Sequence, residues 1–93
     1  MIAELHGKIG TLKANSVVLM VGGVGYQVQV TTYTLGILAS QEDVHLYIHT
    51  HVREDAFLLY GFLDEGEKAM FELLIGVSGI GPKVALSILS IAD

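Results

Sequence analysis

Ninety-three residues and 10.0 kDa, with 52% hydrophobic and 16% charged residues, give room for one compact domain and a small appended unit. They exclude a large catalytic scaffold such as a (β/α)8 barrel or a complete doubly wound sheet. The chain has no cysteine, so it has no disulfide framework, thiolate metal site or cysteine nucleophile. Ten Asp and Glu against five Lys and Arg give a net charge of −5, a poor global match for a polyanion.

In chain order, Met1-Ile2-Ala3-Glu4 lacks a basic segment followed by an apolar one, so no secretory signal is visible and the cytoplasm is the expected compartment. Ala3, Leu5, Gly7 and Ile9 then fall on one face and Glu4, His6, Lys8 and Gly10 on the other, as a half-buried strand requires. Lys13-Ala14-Asn15-Ser16 reads as a turn before the β-branched and aliphatic run of residues 17–21. Gly22-Gly23-Val24-Gly25 breaks that run, and Tyr26, Val28 and Val30 alternate with Gln27, Gln29 and Thr31, which predicts a β-hairpin. The uncharged stretch 15–41 is too heavily punctuated by Gly, Gln and Thr to serve as a membrane span.

Residues 32–40 lose the alternation and predict a short helical turn or loop. Val44, Leu46, Ile48 and Val52 alternate with His45, Tyr47, His49 and His51 in a fourth strand. Arg53-Glu54-Asp55-Ala56 is a polar interruption before residues 57–62, hence the tip of a second hairpin. Five such runs predict a closed five-stranded barrel over residues 1–62.

From Asp64 the period changes. Asp64 and Glu67 have capping-box-like spacing, and Met70, Leu73, Leu74 and Val77 recur at helical intervals, with a stop at Gly76. Ser78-Gly79-Ile80-Gly81 precedes Pro82, which suits the first turn of a second helix whose apolar face is Val84, Ala85, Ile88 and Leu89. An end at Ile91-Ala92-Asp93, without a glycine cap or polar tail, reads as a fragment with more helical chain to follow.

Four features carry candidate chemistry. Glycines between two short helices leave backbone N–H groups open to a phosphate at Ser78, Gly79, Ile80 and Gly81, with Lys83 just beyond; a turn needing glycine only for positive φ is the competing reading. Glu54 and Asp55 are either a carboxylate pair or a solvated turn, and the solvated turn is favoured because neighbours on a tight turn diverge. His45, His49 and His51 share a strand face, but with no cysteine or clear third ligand an exposed or interfacial face outranks a metal site. Gly22-Gly23-Val24-Gly25 fails as a nucleotide loop because a strand follows it.

Several segments, in order, carry a resemblance to a known family: Met1-Ile2, Val21-Gly22-Gly23-Val24-Gly25-Tyr26-Gln27-Val28, Val52-Arg53-Glu54-Asp55-Ala56 with Leu58-Leu59-Tyr60-Gly61-Phe62, and Gly79-Ile80-Gly81-Pro82-Lys83-Val84-Ala85-Leu86. Together the chain resembles the N-terminal part of the RuvA family of bacterial Holliday-junction-binding proteins. The resemblance implies a mainly β fold with α, an OB-fold barrel over residues 1–62 followed by the first helix-hairpin-helix over residues 63–93. A second hairpin motif and a C-terminal RuvB-binding domain would be absent.

The same resemblance implies a non-catalytic, cofactor-free and metal-free homotetramer that holds four-way junction DNA open for RuvB-driven branch migration, with RuvC as a further partner and no membrane role. Glu54 and Asp55 would form an acidic pin at the junction centre, and Ser78, Gly79, Ile80, Gly81 and Lys83 a phosphate-binding hairpin. A single-strand-binding OB-fold module and a purely structural oligomerisation domain are the alternatives. The departure from the family pattern is the scarcity of cations, limited to Lys8, Lys13, Arg53, Lys68 and Lys83.

Overall fold

The computed structural model describes residues 1–91, so the expected chain end at Ala92 and Asp93 lies outside the described residues. Five strands close a barrel: β1 (Glu4–Leu12), β2 (Ser16–Val21), β3 (Val24–Gln29), β4 (Asp43–Val52) and β5 (Phe57–Phe62). Their order around the barrel is β1-β2-β3-β5-β4, antiparallel except where β3 meets β5. With a short helix, α1 (Thr32–Leu38), between β3 and β4, this is the OB-fold.

The alternation read from the sequence is what closes the barrel. Leu5 pairs with Leu46 and Gly7 with Val44, so the apolar faces of β1 and β4 turn inward together. Val17, Leu19, Val28, Leu46 and Ile48 meet in a dry core, and Leu38 of α1 is buried with them. Thr31 caps α1, its hydroxyl accepting from the N–H of Thr34 at 3.0 Å. The first hairpin is tighter than the four-residue break expected from Gly22-Gly23-Val24-Gly25. Val21 pairs with Val24 across Gly22 and Gly23, whose φ values of 57° and 86° fit a two-residue turn of the primed type. Val24 and Gly25 need no special backbone and belong to β3.

A second core lies outside the barrel, where β5 meets α2 (Glu65–Ile75) and α3 (Pro82–Ile91). Leu59 packs into the barrel core, whereas Tyr60 and Phe62 join the outer one, so β5 serves both. Asp64 starts α2 as the spacing predicts, its Oδ1 accepting from the N–H of Glu67 at 2.7 Å. Phe71 is fully buried, its ring centroid 5.0 Å from Phe62, 5.2 Å from Tyr60 and 5.4 Å from His49. His49 adds a hydrogen bond from β4 to α2, with Nδ1 2.8 Å from Glu72 Oε2.

The helices are rotated from the faces the periodicity suggests, which share only Leu74 in α2 and Ala85 and Leu89 in α3 with the packed sets. In α2, Phe71 is buried with Leu74 and Ile75 packed beside it, while Met70, Leu73 and Val77 are exposed. In α3, Ala85, Leu86 and Leu89 are buried, while Val84 and Ile88 turn outward. Both helices carry apolar side chains over more than one stripe, and periodicity does not identify the partner surface. Phe71 decides the rotation because its ring fills the space beside Tyr60 and Phe62.

Two predictions test this packing. Phe71→Ala should cost about 3–5 kcal/mol of stability by urea unfolding, whereas Leu73→Ala should stay within about 0.5 kcal/mol, as an exposed substitution does. The second concerns Glu67, whose pKa is raised above 4.5 mainly by burial, against a lowering hydrogen bond from the Leu63 backbone and with Asp64 adding to the rise. A carboxyl raised on folding contributes stability below its unfolded pKa, and that contribution is lost as pH rises through the folded value. Glu67→Gln should therefore remove a small loss of stability above pH 4.5, read from unfolding midpoints along a pH series.

Candidate nucleic-acid interface

The two segments of interest sit at the ends of elements fixed by the outer core. The first is the β4–β5 hairpin tip. Val52 pairs with Phe57, and the N–H of Arg53 donates to the carbonyl of Ala56 at 2.8 Å, which closes the loop and leaves Glu54 and Asp55 at its apex. Both are exposed, and none of the ion pairs among the described residues involves either. With no apolar wall around them, the tip presents charge and is not organised for proton transfer.

Arg53, immediately before the two carboxylates, acts on the side of the hairpin. Its charge lies near enough to His51 to help burial lower that imidazole below 6.5, with His49 adding to the effect. Burial raises the Tyr60 hydroxyl above 10.0 and Arg53 opposes it. Among the described residues Arg53, beside β5, makes no ion pair.

The second segment is the loop between α2 and α3. Gly76 closes α2 in a right-handed conformation, with φ −77° and its N–H donating to the carbonyl of Leu73 at 3.2 Å. Positive φ arrives only at Gly79, at 88°. The N–H of Ile80 donates back to the carbonyl of Val77 at 3.1 Å, and the Ile80 side chain packs against the outer core, so Ile80 anchors the loop. The carbonyl of Gly81 accepts from the N–H of Ala85 at 3.0 Å as α3 begins at Pro82.

Ser78, Gly79, Gly81 and Lys83 are exposed around this turn. A Cβ added at either 79 or 81 would meet no atom of the chain within 4 Å. The backbone conformation accounts for glycine at 79, and no neighbour among the described residues requires it at 81. The loop thus offers a bare strip of backbone facing solvent.

The histidine face is a row of pairwise contacts. His6 Nε2 lies 3.1 Å from Asp43 Oδ2, His45 Nε2 2.7 Å from Glu4 Oε1, and His49 bonds Glu72. No group of three or more potential ligands is placed to hold a metal among the described residues. This face is exposed at His6 and His45 and interfacial at His49.

One grouping had no signal in the sequence. Asn15, Gln29, Arg53, Tyr60 and Lys83 line a single cleft of about 420 Å³ between the barrel and the start of α3. They come from five separate stretches, and only closure of the barrel and docking of α3 bring them together.

Among the described residues, no helix is long and apolar enough to cross a membrane. Residues 1–61 match the family described as the RuvA N terminal domain. The chain is 54% identical over 90 residues to the Holliday junction branch migration complex subunit RuvA of Syntrophotalea carbinolica, covering 97% of this chain and 46% of that protein. The protein of the same name from Bdellovibrio bacteriovorus is 49% identical over 92 residues, covering 97% of this chain and 47% of its own. That from Symbiobacterium thermophilum is 50% identical over 94 residues, covering 100% and 46%. The chain spans about half the length of these curated relatives. With the OB-fold barrel in place and similarity running through the α2–α3 unit, the chain belongs to the RuvA family.

Proposed function

We propose that this chain is the N-terminal part of a non-catalytic DNA-binding subunit that recognises four-way junctions by their shape and holds them open for RuvB-driven branch migration in the cytoplasm. The observation that carries this reading is one folded unit presenting two chemically contrasting features: an exposed carboxylate pair at the β4–β5 tip and a bare glycine backbone beside Lys83 at the α2–α3 loop. The names of the relatives, subunits of a Holliday junction branch migration complex, support the same assignment.

The attractive part is the loop. N–H groups of Ser78, Gly79 and Gly81 lie beside the start of α3, where backbone donors and the helix dipole favour an anion, and Lys83 adds a full charge. Ile80 holds the loop in place from below. Such contacts grip phosphates without reading bases, as recognition of a shape and not a sequence requires.

The repulsive part is the tip. A carboxylate roughly 7 Å from a phosphate in water repels it by about 0.6 kcal/mol before salt screening, whereas stacking holds a base-pair step by about 1.4 kcal/mol. Glu54 and Asp55 therefore do not melt a duplex. They exclude continuous duplex from the centre of the binding face and steer strands that have already parted. In a homotetramer, four tips would ring the crossover while four loops grip the arms, and RuvB and RuvC would join that assembly.

Two outcomes test the reading in the full-length protein. Gly81→Ala should leave the unfolding midpoint unchanged, because its Cβ meets nothing, yet weaken four-way junction binding several-fold by blocking close approach of a phosphate; unchanged affinity would remove the loop from the interface. Glu54→Gln with Asp55→Asn removes two charges per chain at constant size. In titrations at fixed salt, junction binding should hold or strengthen, binding to a matched linear duplex should strengthen more, and the ratio between them should fall. An unchanged ratio would leave Glu54 and Asp55 as ordinary solvated turn residues.

A further inference from the structure

The cleft between the barrel and α3 has a composition at odds with the rest of the molecule. The chain carries twice as many carboxylates as cations. Yet Arg53 and Lys83, two of its five Lys and Arg, line this one cleft, and no Asp or Glu lines it among the described residues. Neither cation takes part in an ion pair among those residues. In a protein of net charge −5, such a pocket of uncompensated positive charge selects an anion.

The remaining walls narrow the choice of anion. Asn15 and Gln29 contribute amide groups that both donate and accept, and no side-chain hydrogen bond among the described residues engages either amide. Leu58 supplies an aliphatic surface, and Tyr60, only 5% exposed, contributes the small part of its side chain that reaches the cleft. Cations, free amides and an apolar wall together suit a nucleotide better than a bare phosphate, which would leave the amides and the ring without a role. The volume of about 420 Å³ is that of a small-ligand site. It is far too small for a duplex, whose major groove alone is about 12 Å wide.

A smaller recess of about 150 Å³ adjoins the cleft, sharing Asn15, Lys83 and Leu86 and adding Ser87 and Ser90 along α3. The two recesses share one wall, and Arg53 lines the larger of them. That residue is the immediate neighbour of Glu54, so the groove opens beside the tip that repels phosphates.

We infer that this groove receives an unpaired nucleotide of a strand that has parted at the crossover, its phosphate between Arg53 and Lys83 and its base against Asn15, Gln29 and Tyr60. This rests on the junction-binding reading and adds to it a seat for single-stranded nucleotides that adjoins the backbone grip, Gly81 and Lys83 lying at the border of the two. Glu54 and Asp55 turn the strand away, and the groove beside them takes it up.

The test uses the full-length protein and three DNA probes at fixed salt: a fully paired four-way junction, the same junction with two unpaired nucleotides at the crossover, one of them 2-aminopurine, and a matched linear duplex. The wild-type protein should bind the junction with unpaired nucleotides about fivefold more tightly than the paired one, the worth of one net hydrogen bond, and should change the 2-aminopurine fluorescence. Gln29→Ala should abolish both effects while leaving affinity for the paired junction unchanged. Gln29→Glu, of the same size, should invert the preference by repulsion, and thermal melts should show both variants folded. Equal wild-type affinity for the two junctions, or a preference that survives both substitutions, overturns the inference and leaves the junction reading standing. Failure of the wild-type protein to prefer either junction over duplex overturns the junction reading, and the inference with it.

Discussion

The burial of Phe71 between α2 and β5 is the contact on which the functional geometry depends. Its ring lies within 5.4 Å, centroid to centroid, of Phe62, Tyr60 and His49, so one side chain of the helical unit engages both β5 and β4 of the barrel. Aromatic clusters of this kind combine a large buried area with preferred ring orientations, which fixes both the presence and the angle of the contact. The strand that holds Phe71 is also the strand that leaves the acidic tip, since Tyr60 lies only five residues beyond Asp55. The acidic apex and the glycine loop are thereby placed on one body, with the cleft beside them lined from both.

Electrostatics then works locally against an unfavourable total. A net charge of −5 argues against affinity for DNA at long range. At short range, no Lys or Arg among the described residues takes a carboxylate partner, and Glu4, Asp43 and Glu72 lie against histidines. Selecting one DNA shape over another depends on where attraction and repulsion fall more than on their sum. In this chain Glu54 and Asp55 stand at the tip, and no carboxylate among the described residues lines the cleft beside it.

The strands were legible because a half-buried sheet imposes alternation, which holds through Ile9 in β1, before a register shift, and through Ile48 in β4, beyond which Val52 is exposed. The start of α2 was legible because Asp64 stands three residues before Glu67, the spacing that an N-cap hydrogen bond needs. The buried faces of α2 and α3 were legible only at Leu74, Ala85 and Leu89. Met70, Leu73 and Val77 form as good an apolar stripe as Phe71, Leu74 and Ile75, and only the surface offered by β5 distinguishes them. The roles of Glu54, Asp55, Gly79 and Gly81 came from family resemblance, with local spacing leaving both readings open. The cleft was invisible at any local scale, because Asn15, Gln29, Arg53 and Lys83 share no spacing and meet only in the folded chain. Contacts such as His49 with Glu72, 23 residues apart, are hidden for the same reason.

The central claim is that the barrel and the α2–α3 unit behave as one body locked by Phe71, and native-state hydrogen exchange measures this directly. Amides of residues 70–74 in α2 and 59–61 in β5 should exchange through a common opening, with the same free energy and the same dependence on denaturant. Exchange of the α2 amides through a separate opening of much lower free energy, while those of β5 stay protected, would show the helical unit swinging free of the barrel and would contradict the account.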